Sequence, residues 1–314
     1  MEDGNQTHVT EFVLLGFTEM PYLQVVLFVF ALAFYILNIM ANSIIVTVVI
    51  TEPNLHTPMY YLLANLSFLD FCISSVTVPK MLCDFMVEKK TISFEGCIAQ
   101  LHFFHLLGCT EAMLLTSMSI DRYVAICHPL RYVTIMNAST CIWLTSSSWS
   151  VGFLYSLPHT ILTARLPFCA SNQVSHFFCD IKPLLKLACT DTYINEMLVS
   201  IIAGFFAPSA LFMILVSYVY IGSHLMKIKS SESRQKAFST CVSHLTVVLF
   251  YFGTAICTYL RPSTKDSMDQ DRMTAILFTV VTPTLNPIIY ALRNKEVKQS
   301  MKKLIYSNVV WWPS

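Results

Sequence analysis

Charge is what this chain has least of. Only 12% of its 314 residues are Asp, Glu, Lys or Arg, against roughly a quarter in an ordinary soluble domain. With 55% hydrophobic residues there is too little polar surface to clothe a water-soluble body of this size, so lipid must serve as solvent for much of it. The net charge of +1 offers nothing to a polyanion. A basic patch, a glycine-rich phosphate loop and metal-finger spacing are all missing, so nucleic-acid binding and nucleotide chemistry find no support, and no cofactor is implied. No nucleophile stands paired with a base, which argues against an enzyme. Repeated halves and paired broken helices, the marks of a transporter, are absent too. The start Met1-Glu2-Asp3-Gly4 has no basic region, so no cleaved signal peptide is expected.

What is present is a series of seven apolar runs: Leu23 to Ile50, Pro58 to Pro79, Ile98 to Ile120, Cys141 to Ala164, Met197 to Leu225, Ala237 to Leu260 and Met273 to Leu292. Each is near the ~20 residues a membrane-crossing helix needs. The expected fold is an all-α membrane protein, a seven-transmembrane helix bundle with a short amphipathic C-terminal helix. Residues 1–22 form a short acidic N-terminus without a domain-sized core, 23–292 the bundle, and 293–314 the tail. An odd number of spans puts the termini on opposite sides. No Lys or Arg precedes Lys80, so the first span is unlabelled by charge. Basic residues clustered after the last span, and an Asn5-Gln6-Thr7 glycosylation sequon usable only outside, place the N-terminus outside and the C-terminus inside. From Asn294 to Tyr306 the spacing of Val297, Met301, Leu304 and Ile305 among four lysines suits a helix lying on the inner leaflet. That segment has no Cys to palmitoylate.

A few polar residues interrupt the apolar runs. Asn42, Asp70 and Glu111 fall inside spans, and by helical rise the two acids sit at equal depth, about 16 to 18 Å from the inner face. They are read either as a hydrogen-bonded packing cluster with Asn42 and Asn286 or as a pair sharing a proton or a cation. Pro287 frees a backbone carbonyl in the seventh span and makes a hinge there. The fourth span, around Thr145 to Trp149, is the least hydrophobic, and its small residues favour close helix contact. The loop from Gly222 to Lys236 is short and basic, with no room for a domain. Cys97, Cys169, Cys179 and Cys189 lie at one membrane face, and their spacing alone allows three disulfide pairings. Two metal readings compete: zinc on His176, Cys179 and Cys189, and copper or zinc on His102, His105 and Cys109. Disulfides and a hydrogen-bonded histidine explain the same residues, and no metal is assigned. Phe104, His105, Gly108 and Cys109 form one face of the outer third span, where a small ligand would sit.

Met118-Ser119-Ile120-Asp121-Arg122-Tyr123-Val124-Ala125-Ile126-Cys127 resembles a motif of the rhodopsin-like G-protein-coupled receptors, and within them of the olfactory receptors. Four other stretches match in chain order around it: Pro58-Met59-Tyr60 before it, then Ser217-Tyr218-Val219-Tyr220-Ile221, the family-specific run Lys236 to Leu245, and Pro283-Thr284-Leu285-Asn286-Pro287-Ile288-Ile289-Tyr290. The resemblance implies a receptor that binds a small volatile odorant and activates a stimulatory, cyclic-AMP-raising G protein. It implies Cys97 paired with Cys179 and Cys169 with Cys189. It places Ile202, Phe206, Phe252, Ile256, Tyr259, Ile276 and Thr279 opposite the third-span residues as the ligand wall. It assigns coupling to Asp121, Arg122, Tyr123, Tyr218, Asn286, Pro287 and Tyr290, with Arg122 held by Asp121 at rest and released toward Tyr218 and Tyr290. A plasma-membrane location, in the sensory cilia of olfactory neurons, and helpers for trafficking are implied as well. Ser119-Ile120 replaces the family's Ala-Tyr, and Tyr251-Phe252-Gly253 its Phe-Tyr-Gly; both departures touch the activation path. The alternatives are another class A receptor or, behind it, a transporter. An amine receptor would want a carboxylate where this chain has Phe104 and His105, and a light sensor a lysine in the seventh span.

Overall fold

The computed structural model describes residues 9–17, 20–169, 171–259, 268–293 and 295–309. Seven long helices dominate: α1 (Pro21–Thr51), α2 (Pro58–Met86), α3 (Phe94–Cys127), α4 (Ala138–Ala164), α5 (Tyr193–Leu225), α6 (Ser231–Tyr259) and α7, made of Met268–Ile276, Leu277–Val281 and Thr282–Arg293. A further helix, α8 (Lys295–Val309), follows. Six of the seven are long and apolar enough to cross a membrane. The exception is α4, with ten Ser and Thr among its 27 residues. Half of these hydroxyls bond carbonyls of their own helix, as Ser148 does to Leu144 at 2.7 Å, so those cost the helix little in an apolar setting. The axle is α3: 78% of its apolar window is inside the protein, against 11% for α1 and 12% for α5, whose apolar faces are left for lipid.

Local chemistry explains the ends. Ser93 caps α3 by accepting the Gly96 N–H at 3.1 Å, and Asn137 caps α4 by accepting the Thr140 N–H at 2.9 Å. Pro58 opens α2, where a missing N–H costs nothing. Helices outrun the apolar runs at several places. α2 passes through Pro79 to Met86, and α6 starts at Ser231, so the loop expected over Gly222 to Lys236 shrinks to residues 226–230. Counting apolar residues stops where charge begins, but a helix continues into water on its backbone bonds.

α4 lies against α3 through Gly152. A Cβ there would stand 2.2 Å from Thr110 Oγ1 and 2.7 Å from the Leu106 carbonyl oxygen. The threonine can turn away; the carbonyl cannot. Gly152→Ala should therefore destabilise the bundle by about 1–3 kcal/mol, read as a lower melting midpoint of the purified protein. Gly222→Ala, with nothing within 4 Å, is the control expected to leave it unchanged.

One end of the bundle carries a lid. β1 (Glu11–Leu14) is the centre of a three-stranded sheet, antiparallel to β2 (Thr91–Ser93) and parallel to β3 (Gln173–Val174). The N-terminal segment holds no domain, but it supplies this strand, which no apolar pattern announced. Alternation sends Phe12 and Leu14 inward, into a second core with Leu101, Phe168, Val174, Ile181 and Leu184. Burying Phe12 contributes about 1.5–3 kcal/mol. After β1 the chain turns at Gly16, whose φ of 62° is left-handed, and lays Phe17 on Phe177, with ring centroids 4.6 Å apart. Cys97 is bonded to Cys179, fastening the α4–α5 loop to the start of α3, and Cys169 to Cys189, closing that loop on itself. Gln100 adds a polar tie, accepting the Cys179 N–H at 2.8 Å and donating to the Val76 carbonyl at 2.9 Å. This is the cap end.

At the opposite, base end α8 folds back against α1 and α2. Val297 is fully buried among Ile45, Val48, Leu55, Tyr60 and Leu63. Tyr60 donates to Glu296 at 2.6 Å, and Lys303 pairs with Glu52 at 2.9 Å. The side chains of Leu304 and Ile305 lie outside the described residues.

Candidate functional site

Beneath the lid, α3, α4, α5, α6 and α7 enclose a cavity of about 90 Å³. Of the residues expected from sequence, Phe104, His105, Gly108, Cys109, Phe206, Ile256 and Tyr259 line it. Phe252, Ile276 and Thr279 do not. Phe252 and Thr279 are buried in the packing, and the Thr279 hydroxyl is spent on the Ala275 carbonyl at 2.8 Å. The neighbouring Tyr251 takes the wall position instead and donates its hydroxyl to the Gly108 carbonyl, joining α6 to α3. Adjacent residues on a helix point about 100° apart, so a one-residue exchange of Tyr and Phe moves the phenol from one face to another. Ile202 belongs to a π-turn, Ile202–Phe206, and its side chain lies outside the described residues. Leu277–Val281 is a second such turn and sets Phe278 against Phe104, 5.6 Å between centroids. Gly108 leaves room: an alanine Cβ would meet only ordinary contacts, 3.7 Å from Phe278.

Sequence reasoning missed α4. Tyr155 and His159, four residues apart and so on one helix face, both line the cavity. The His159 ring lies 5.9 Å from that of His105, nearly parallel at 21°. His105 Nε2 stands 3.2 Å from Asp180 Oδ1, an ion-pair distance off the line of a good hydrogen bond. His102, by contrast, turns to Thr160 at 2.9 Å. His102 is thus hydrogen-bonded to α4 through Nδ1. Zinc on His176, Cys179 and Cys189 fails, both thiols being in disulfides. No metal-holding cluster of three or more such side chains occurs among the described residues.

Asp180 is the polar floor of the lid. Burial pushes its carboxyl up, but the His105 contact, the nearby His176 and the Ile181 N–H at 2.7 Å outweigh burial and hold it below its ordinary value. The Tyr259 hydroxyl lies 3.4 Å from both its oxygens. Beside it His176 is packed between Phe177 and Phe178, and burial lowers its imidazole from 6.5 to about 4. The folded protein thus refuses a proton that the unfolded chain takes up below 6.5. Stability should fall as pH drops from about 6.5 toward about 4, by at most ~1.4 kcal/mol per pH unit from this group. Melting of the purified protein across that window measures the slope, and His176→Phe should flatten it.

Midway down the bundle Asn286 donates to both oxygens of Asp70, at 3.0 and 3.2 Å. Glu111 is buried, and its Oε1 has no hydrogen-bond partner. Asn42 is not part of this group, a correction to the expected cluster: its amide donates to the carbonyls of Asn38 at 3.1 Å and Pro283 at 3.2 Å. The reason lies in α7. Pro287 has no N–H to offer the carbonyl four residues before it, which is that of Pro283; Asn42 supplies the missing donor.

At the base end Asp121 is used twice. Arg122 donates to one oxygen through Nε, at 2.9 Å, and also through Nη2, and the Tyr132 hydroxyl donates to the other at 2.8 Å. Burial and the adjacent Asp121 raise the Tyr132 phenol above its ordinary value, so it stays a donor. A cavity of about 40 Å³ separates Arg122 and Met118 from Ser243, His244 and Tyr290. Tyr218 is 2.9 Å from His244 Nδ1, whose Nε2 is 3.1 Å from the Leu115 carbonyl, so one imidazole links α5, α6 and α3. Tyr290 has a buried hydroxyl with no partner. Tyr123 sits apart, its hydroxyl 3.3 Å from His128. His244 and Tyr132 were missed, although His244 lies in the run Lys236 to Leu245 that the sequence marked as distinctive. Asn5 lies outside the described residues.

A family model described as olfactory receptor matches residues 30–308. The chain is 52% identical over 300 residues to human Olfactory receptor 12D1, covering 95% of this chain and 94% of that one. It is 50% identical to human Olfactory receptor 12D2, covering 96% and 98%. With gorilla Olfactory receptor 1G1 it shares 47% over 313 residues, the full length of both.

Proposed function

This chain belongs to the olfactory receptor family, and so to the odorant G-protein-coupled receptors of the plasma membrane rather than to the enzymes; on that premise we propose that its odorant binds in the cavity under the lid and that the base end switches a stimulatory G protein. The observation that carries this reading is the direct link between the two ends. The Tyr251 hydroxyl on the cavity wall holds α6 to α3 at Gly108, and His244, two turns further along the same helix, holds α6 to α3 at Leu115.

A ligand that displaces Tyr251 frees α6 at the cap end. The helix then swings, and the His244 bonds to Leu115 and Tyr218 give way. Arg122 leaves Asp121 for the space beside Tyr218 and Tyr290, opening a groove for the G protein. Tyr290, with no partner at rest, is placed to receive it. The bend at Pro287 lets α7 follow, with Asp70, Asn286 and Glu111 as its polar bearing; a cation between the two acids would favour the resting form. Tyr123 flanks the groove. The cap end faces outside with Asn5 glycosylated, and α8 rests on the cytoplasmic leaflet. Sensory cilia are the site of action, reached with trafficking helpers.

The test is a cyclic-AMP reporter in cells expressing the chain, screened against a volatile panel with Arg122→Ala in parallel. A response lost in the variant supports the reading. A response retained by it, or a rise in calcium without cyclic AMP, refutes the coupling proposed. Epitope tags at the two termini, stained with and without permeabilisation, settle the orientation; both on one side would overturn it.

A further inference from the structure

We propose that the cavity selects ligands bearing a hydroxyl group, held between the His159 imidazole and the Tyr155 phenol. This rests on the cavity being the ligand site and adds the chemistry it prefers.

Most polar atoms on the wall are already engaged. Tyr251 gives its hydroxyl proton to the Gly108 carbonyl, Tyr259 turns to Asp180, and His105 Nε2 faces the same carboxylate. His159 is different: it is 2% exposed, and neither ring nitrogen has a hydrogen-bond partner. Tyr155, one turn earlier with its ring 5.2 Å away, makes no hydrogen bond among the described residues. A buried polar atom left unmatched is costly, and native proteins leave few of them. These lie side by side on the α4 wall of the cavity; His105 Nε2 also lacks a hydrogen bond but stands at ion-pair distance from Asp180, and the Cys109 thiol is a weak partner at most.

An imidazole with no charged partner at its nitrogens presents one N–H and one lone pair, and a phenol can give or take. A hydroxyl is the single-atom head group that does both, donating to the imidazole lone pair while accepting from the phenol. A carbonyl or ether only accepts and leaves the lone pair unmatched. An ammonium only donates, and the carboxylate that would neutralise it, Asp180, is already engaged by His105, Tyr259 and the Ile181 N–H. A carboxylate ligand would bring a second negative charge beside Asp180. The remaining wall, with Phe104, Val199, Phe206, Ile256 and Phe278, is hydrocarbon, so the rest of the ligand is apolar.

The test uses the full-length receptor, purified in nanodiscs for melting shifts and expressed in cells for cyclic AMP. Probes are hexanol, octanol, cyclohexanol and phenol, each beside the methyl ether of the same skeleton. At least one alcohol is expected to act at a concentration about tenfold or more below its ether, the size of preference one net hydrogen bond imposes. His159→Leu should bring the pair to near equality by weakening the alcohol alone, Tyr155→Phe should narrow the gap, and His159→Gln, which still gives and takes, should keep most of it. Retained ether binding and an unchanged melting midpoint show that the leucine variant is folded. The proposal is overturned if no alcohol binds, if ethers match alcohols on the unaltered receptor, or if the gap survives both His159→Leu and Tyr155→Phe. Alcohols that shift melting without raising cyclic AMP would sink the coupling reading and leave this one standing.

Discussion

Replacing Arg122 by alanine should bring odorant-evoked cyclic AMP down to the level of receptor-free cells while the amount of protein at the surface is unchanged. At rest the guanidinium is tied to Asp121, whose second oxygen is taken by Tyr132. Hydrogen bonds to a charged partner are each worth about 1.5–3 kcal/mol, so exchanging such a set between resting and active forms shifts their ratio by about ten- to a hundredfold. Alanine keeps the helix and removes the exchange. Asp121→Asn tests the other half: it weakens the hold on Arg122 without emptying the site, and resting cyclic AMP should rise. If Asp121→Asn instead lowers resting activity, the pair does not act as a lock.

Cys97→Ser should abolish most surface display. The bond to Cys179 joins positions 82 residues apart, whereas Cys169 and Cys189 are separated by only 20. Losing a native disulfide typically costs about 2–5 kcal/mol, and on the chain-entropy account the longer loop is worth about 1 kcal/mol more. The longer bond also holds more: it pins the loop that delivers Asp180 to His105 and Ile181 to the cavity. Surface staining should therefore rank unaltered receptor above Cys169→Ser, and Cys169→Ser above Cys97→Ser. Equal display of the two variants would mean that the lid is held by its sheet and aromatic core without help from the covalent tie.

What a sequence shows plainly depends on how far apart along the chain the interacting residues lie. A membrane helix is written in consecutive residues, so the apolar runs showed the bundle at once, and even α4 was found although its serines put it below the hydropathy of the others. The α3 face of Phe104, His105, Gly108 and Cys109 follows from helical spacing alone. β1 does not: four residues, Glu11–Leu14, find their partners about eighty and a hundred and sixty positions later, and nothing local records that pairing. Tyr155 and His159 were passed over because the serines upstream drew attention to packing, not to a wall. Tyr251 was passed over because the family register favoured its neighbour Phe252. Asn42 was grouped with the acids as another polar residue inside a span, when its partner is the carbonyl that Pro287 leaves without a donor.

The sheet has a consequence for how the molecule is made. Its middle strand leaves the ribosome first, yet one flanking strand, Gln173–Val174, emerges only after four helices have been threaded through the translocon. Until then the leading strand has only Thr91–Ser93 to pair with, and one of its two edges stays open. The lid is completed by the last-arriving strand, so the newly made chain holds the cavity beneath it only partly roofed for a good part of its own synthesis.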